Sequence, residues 1–65
     1  MKNKPTFYGT DAHGNLWWNT SFGDLMCALD AADAAAAEGN PPRGHDVAAH
    51  RAEVLRNYGP FKVAK

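Results

Sequence analysis

The imidazoles of His13, His45 and His50 and the thiol of Cys27 are the side chains in this sequence best suited to ligating a metal or to acting as a nucleophile and its base. A metal site needs such groups at ligand spacing, and the chain has no Cys-x-x-Cys and no histidine pair at i, i+4. Five positions separate His45 from His50, which places them on different faces of a continuous helix. No metal and no other cofactor is therefore expected. Cys27, His13 and Asp11 could form a nucleophile, its base and an orienting carboxylate. The plainer reading is a small helix cysteine and a polar hairpin loop, in a domain with little room to exclude water, so no enzyme is expected. Phe22-Gly23-Asp24 carries one glycine with no Lys-Ser or Lys-Thr after it, which removes a P-loop.

The charges are segregated. Lys2 and Lys4 lie in residues 1–5; Asp11, Asp24, Asp30, Asp33 and Glu38 lie in residues 6–42 with no Lys or Arg; Arg43, Arg51, Arg56, Lys62 and Lys65 face Asp46 and Glu53 in residues 43–65. The balances of +2, −5 and +3 sum to the formal net charge of zero, an acidic middle between basic ends.

These groups need elements to position them. Thr6-Phe7-Tyr8-Gly9-Thr10 and Leu16-Trp17-Trp18-Asn19 are β-prone, and the turn-forming run Asp11 to Asn15 between them predicts a hairpin. Successive strand side chains alternate in direction, so Trp17 and Trp18 cannot share one core; the covered ring belongs to the core and an exposed one would serve as an interface anchor. Ser21-Phe22-Gly23-Asp24 has the spacing of a capping box and leads into an alanine-rich run, predicting a first helix from about Phe22 to Glu38, with Leu25, Leu29, Ala32 and Ala36 as its sheet-facing stripe. Asn40-Pro41-Pro42 breaks the chain. A second helix starts at Pro41 or only after Asp46, buries Val47, Val54, Leu55 and Tyr58, and ends at Gly59-Pro60. Arg51 falls inside that stripe, its stem packing while its head reaches water or an acid. The alternating tail from Phe61 to Lys65 predicts a third strand. The expected fold is one α+β domain over residues 1–65, in the order ββααβ, with two helices on one face of an antiparallel sheet of about three strands.

At 65 residues, folding buries about 60% of the surface that the unfolded chain exposes, so stability is marginal. One cysteine excludes an internal disulfide, and no apolar run follows the basic start, so neither signal peptide nor membrane span is expected. A bacterial cytoplasmic location is expected.

On the expected first helix, Asp24, Asp30, Asp33 and Glu38 share the half opposite the apolar stripe, with no cation three or four residues away. Small alanines between them let another surface approach. The residues could simply keep a good helix former soluble, or could dock, with Trp17 as anchor, onto a basic surface that normally holds nucleic acid. Such a helix spans about 21 Å, over which duplex DNA presents roughly twelve charges, so four carboxylates mimic it only in part.

With these unpaired acids on a compact frame, the chain resembles, at class level, the small anti-CRISPR proteins of phages and mobile elements. That resemblance implies a cofactor-free inhibitor that binds a CRISPR effector subunit and blocks target DNA. Two alternatives stand beside it: a DNA- or RNA-binding regulator using Arg43, Arg51, Arg56 and Lys62, with steep salt dependence, and an antitoxin-like accessory subunit that folds on association.

Overall fold

The computed structural model describes residues 4–39 and 43–64. They form β1 (Thr6–Thr10), β2 (Leu16–Asn19), β3 (Leu25–Cys27), α1 (Ala31–Glu38), α2 (Val47–Tyr58) and β4 (Lys62–Val63). The sheet is antiparallel with strand order β3-β2-β1-β4. The α+β class and the C-terminal strand hold, but the sheet has four strands rather than three.

The first hairpin forms where turn residues separate the two aromatic runs. The carboxylate of Asp11 organises its loop by accepting from the backbone N–H groups of His13 (2.8 Å) and Asn15 (3.0 Å), as short polar side chains do in turns. Cross-strand partners share a face of the sheet. Trp17 of β2 therefore lies on the same side as Leu25, which pairs with Asn19, while Trp18 lies opposite with its partners Phe7 and Met26. A bulge between Phe7 and Gly9 re-aims β1, and the Tyr8 ring meets Phe61 edge-on at 5.5 Å.

The core is Trp17, Leu25 and Val54, with Tyr8, Leu55 and Phe61 packed against it. Tyr58 tilts against Trp17 at 5.0 Å, so α2 lies over the Trp17 side. Trp18 takes a separate cover: Phe7 packs on it edge-on at 5.1 Å, and its Nε1–H donates to the Ala28 carbonyl at 3.1 Å.

The expected helix from Phe22 to Glu38 is not one element. The Gly23 N–H donates to the Thr20 carbonyl, Gly23 takes a φ of 91°, and the Thr20 N–H donates to the Asp24 carbonyl. This turn sends Leu25-Met26-Cys27 back along the open edge of β2, where Leu25 is 2% exposed. Pairing and burial outweigh helix propensity there. The helix starts six residues beyond Leu25, at Ala31, capped by Asp30, whose carboxylate accepts from the Asp33 N–H at 2.9 Å. Ser21 and Asp24 therefore form no capping box. Of the expected stripe, Leu29 is 81% exposed and Ala32 and Ala36 are exposed, whereas Ala34 is fully buried.

Asp46 caps α2 by accepting from the Ala49 N–H, so the second helix starts after Asp46. The other expected start, Pro41, and the break at residues 40–42 lie outside the described residues. Among the described residues the Arg51 head pairs with no acid. It donates to the Asn19 side-chain oxygen (2.8 Å) and the Gly23 carbonyl (3.2 Å), over the Tyr8 ring.

Gly9 pairs with both Trp17 and Val63, and a Cβ there would run into the Lys62 carbonyl. Gly9→Ala is expected to detach β4, abolishing hydrogen-exchange protection of the Ala64 N–H, which now donates to the Tyr8 carbonyl at 2.8 Å. Unchanged protection would show that β4 pairs without this close approach.

Candidate functional site

Two buried carboxylates organise the molecule. Asp11 is 5% exposed; besides its loop contacts it accepts from the Trp17 Nε1–H at 2.9 Å and the Asn15 side-chain amide at 3.2 Å. Burial pushes its carboxyl up, but the hydrogen bonds from Trp17, from the Asn15 and His13 backbones and from the Asn15 side chain outweigh that and hold it at about 2. A carboxylate that accepts several N–H bonds favours its charged form.

Asp24 is 6% exposed and sits where the turn after β2 enters β3. Its N–H donates to the Thr20 hydroxyl at 2.8 Å, and its Oδ1 accepts from the Leu25 N–H at 2.8 Å. His50 Nδ1 lies 2.8 Å from Oδ1 and His45 Nε2 lies 2.9 Å from Oδ2. An ionised carboxylate only accepts, so both ring nitrogens carry protons in this arrangement. Burial raises the Asp24 carboxyl; the hydrogen bonds from His50, His45 and Leu25, with the charge of His50, pull it below its ordinary value.

His45 and His50 thus converge, with ring centroids 5.2 Å apart. The spacing argument against a histidine pair fails because His45 precedes the cap of α2 and only His50 is helical. The ligand atoms of Asp24, His45 and His50 all lie within 4.8 Å of one another. A groove of about 560 Å³ opens beside the two rings, lined also by Asp46, Ala49, Ala52, Glu53 and Arg56. No protein-family model, curated protein or solved structure matches the chain.

The expected acidic face is dispersed. Asp24 is internal and lies on no helix; Asp30 is exposed but caps α1; Glu38 accepts from the Ser21 N–H and hydroxyl, both at 2.7 Å. Asp33 is exposed, with no side-chain hydrogen bond among the described residues. Trp17, 7% exposed, belongs to the core rather than to the surface. Of the basic residues, Arg43, Arg56 and Lys62 are exposed and Arg51 is engaged internally. Of Cys27, His13 and Asp11, the Asp11 carboxylate is taken up by the loop and Trp17, and desolvation with the Asp11 charge pushes the Cys27 thiol up, which disfavours thiolate. No helix among the described residues is long and apolar enough to cross a membrane.

Because folding lowers the Asp11 carboxyl from 3.8 to about 2, its stabilising contribution is complete above its unfolded value and is lost as pH falls through its folded one. Urea unfolding of wild type and Asp11→Asn between about pH 5 and pH 2 is expected to show a stability gap that shrinks on acidification. A constant gap would mean that the charge of Asp11 contributes nothing.

Proposed function

We propose that this chain is a small non-catalytic binding domain whose connection between β3 and α1 docks on a basic, nucleic-acid-handling surface of another protein. The observation that carries this reading is Leu29, 81% exposed in a domain with few large apolar side chains. With Gly14, Asn15, Leu16, Cys27 and Ala28 it lines a hollow of about 410 Å³. Exposed Asp30 and Asp33 follow at once in the chain. An apolar anchor with a charged rim is the usual anatomy of an interface, and the exposed alanines of α1 allow close approach.

Extended mimicry of DNA is not part of the proposal. The eight residues of α1 cover about 12 Å, over which duplex DNA presents roughly seven charges, against the two carboxylates at this end. Shape and Leu29 supply the rest. The class resemblance to anti-CRISPR proteins makes the DNA-binding subunit of a CRISPR effector the partner to try first.

The test is binding to purified, nuclease-treated CRISPR effector complexes, with competition by target DNA. Wild type is expected to bind and to block DNA. Leu29→Ser with Asp33→Lys, with fold verified by circular dichroism, is expected to bind at least about 30-fold more weakly, as truncating an interface hot spot does. Asp30→Ser, which keeps a capping side chain, separates the charge of Asp30 from its structural role. Equal binding by the double variant, or binding to nucleic acid alone that weakens steeply with salt, would overturn the proposal; the latter would favour a regulator using Arg43, Arg56 and Lys62.

A further inference from the structure

The imidazoles of His45 and His50 bring two nitrogens onto one buried carboxylate, and this cluster is independent of the docking surface just described. We propose that Asp24, His45 and His50 form a site for a divalent transition-metal ion, with zinc the natural occupant to test.

Donor chemistry comes first. Two imidazole nitrogens and a carboxylate, without thiolate, suit zinc and its neighbours in the first transition row. Three protein ligands with an open fourth position are the pattern of zinc sites that exchange water or an outside ligand.

Geometry comes second. His45 Nε2 and His50 Nδ1 stand 2.9 and 2.8 Å from the Asp24 oxygens, and all three ligand atoms fall within 4.8 Å. Ligands about 2.1 Å from a tetrahedral ion sit about 3.4 Å apart. The carboxylate edges need only open by about half an ångström, while the two rings draw together. The proton balance also closes. In the neutral rings the proton moves to the nitrogen remote from the ion, Nδ1 of His45 and Nε2 of His50, leaving the lone pairs on Nε2 and Nδ1 for the metal.

Preorganisation comes third. Asp24 is held by the Leu25 N–H and by its own N–H to Thr20, a supporting shell of the kind that orients metal ligands. His50 is fixed in the capped first turn of α2, and the neighbouring Arg51 ties the same turn of chain at Gly23. The groove lined by Asp46, Glu53 and Arg56 leaves the fourth position accessible to water or to a donor from another molecule.

Isothermal titration of the metal-free protein with zinc chloride is the test, with the histidine ring nitrogens followed by two-dimensional NMR. One zinc per chain is expected, at micromolar affinity or tighter, with the ring signals of His45 and His50 shifting and those of His13 unmoved. His45→Ala and His50→Ala are each expected to weaken binding at least tenfold, and His13→Ala to leave it unchanged. The wild-type ring signals decide the matter even where a variant fails to fold. No heat and no ring shift at millimolar zinc, or a shift confined to His13, would overturn the site.

Discussion

Burying the Trp17 indole sets the terms for the rest of the fold. The ring supplies much of the apolar area available to so small a core, about 4 to 6 kcal/mol at roughly 25 cal/mol per Å². Its N–H must enter the interior with it and needs an acceptor there. Asp11 is that acceptor, and a charge taken from water must itself be satisfied. The His13 and Asn15 N–H groups do this by folding the hairpin loop around the carboxylate. Loop conformation, strand pairing and core burial are thus consequences of one another, and Ala12 extends the arrangement by donating to the Tyr58 carbonyl at the end of α2.

Asp24 repeats this logic at the other end of α2. The small core of Trp17, Leu25 and Val54 is supplemented by polar fastening of α2: His50 on Asp24, Arg51 on Asn19 and Gly23. Satisfied polar networks specify one arrangement where apolar packing alone would allow several. The same satisfaction makes the Asp24 cluster chemically interesting, because the rings that hydrogen-bond a buried carboxylate here can instead donate lone pairs.

What the sequence disclosed was what neighbouring residues decide. The first hairpin, the separation of Trp17 from Trp18 and the pairing of the tail follow from local patterns of aromatic, turn-forming and alternating residues. Leu25-Met26-Cys27 reads as helix because three residues inside a helix-prone run carry no strand signal of their own; only the Gly23 turn and the vacant edge of β2 make them a strand. The Asp24 cluster joins residues 21 and 26 positions apart, beyond the reach of any spacing rule. One signal was present: if the second helix begins after Asp46, His45 stands outside it, and the rule that sets the two histidines on different faces of one continuous helix no longer applies.

A formal charge in a sequence is not a surface charge in a fold. Asp11, Asp24, Asp30, Asp33 and Glu38 read as one acidic block, yet Asp11 and Asp24 are interior, Asp30 terminates a helix and Glu38 holds the Ser21 turn. Each satisfies backbone donors that the irregular segments between the short elements would otherwise leave unpaired. In a domain of this size the connections are a large share of the chain, so acids are recruited to close them and few remain for a partner. An apolar residue left outside, Leu29, is the more informative surface feature, because exposing it gains nothing for the isolated fold, whereas each of those four acids is explained by the backbone it caps or fastens.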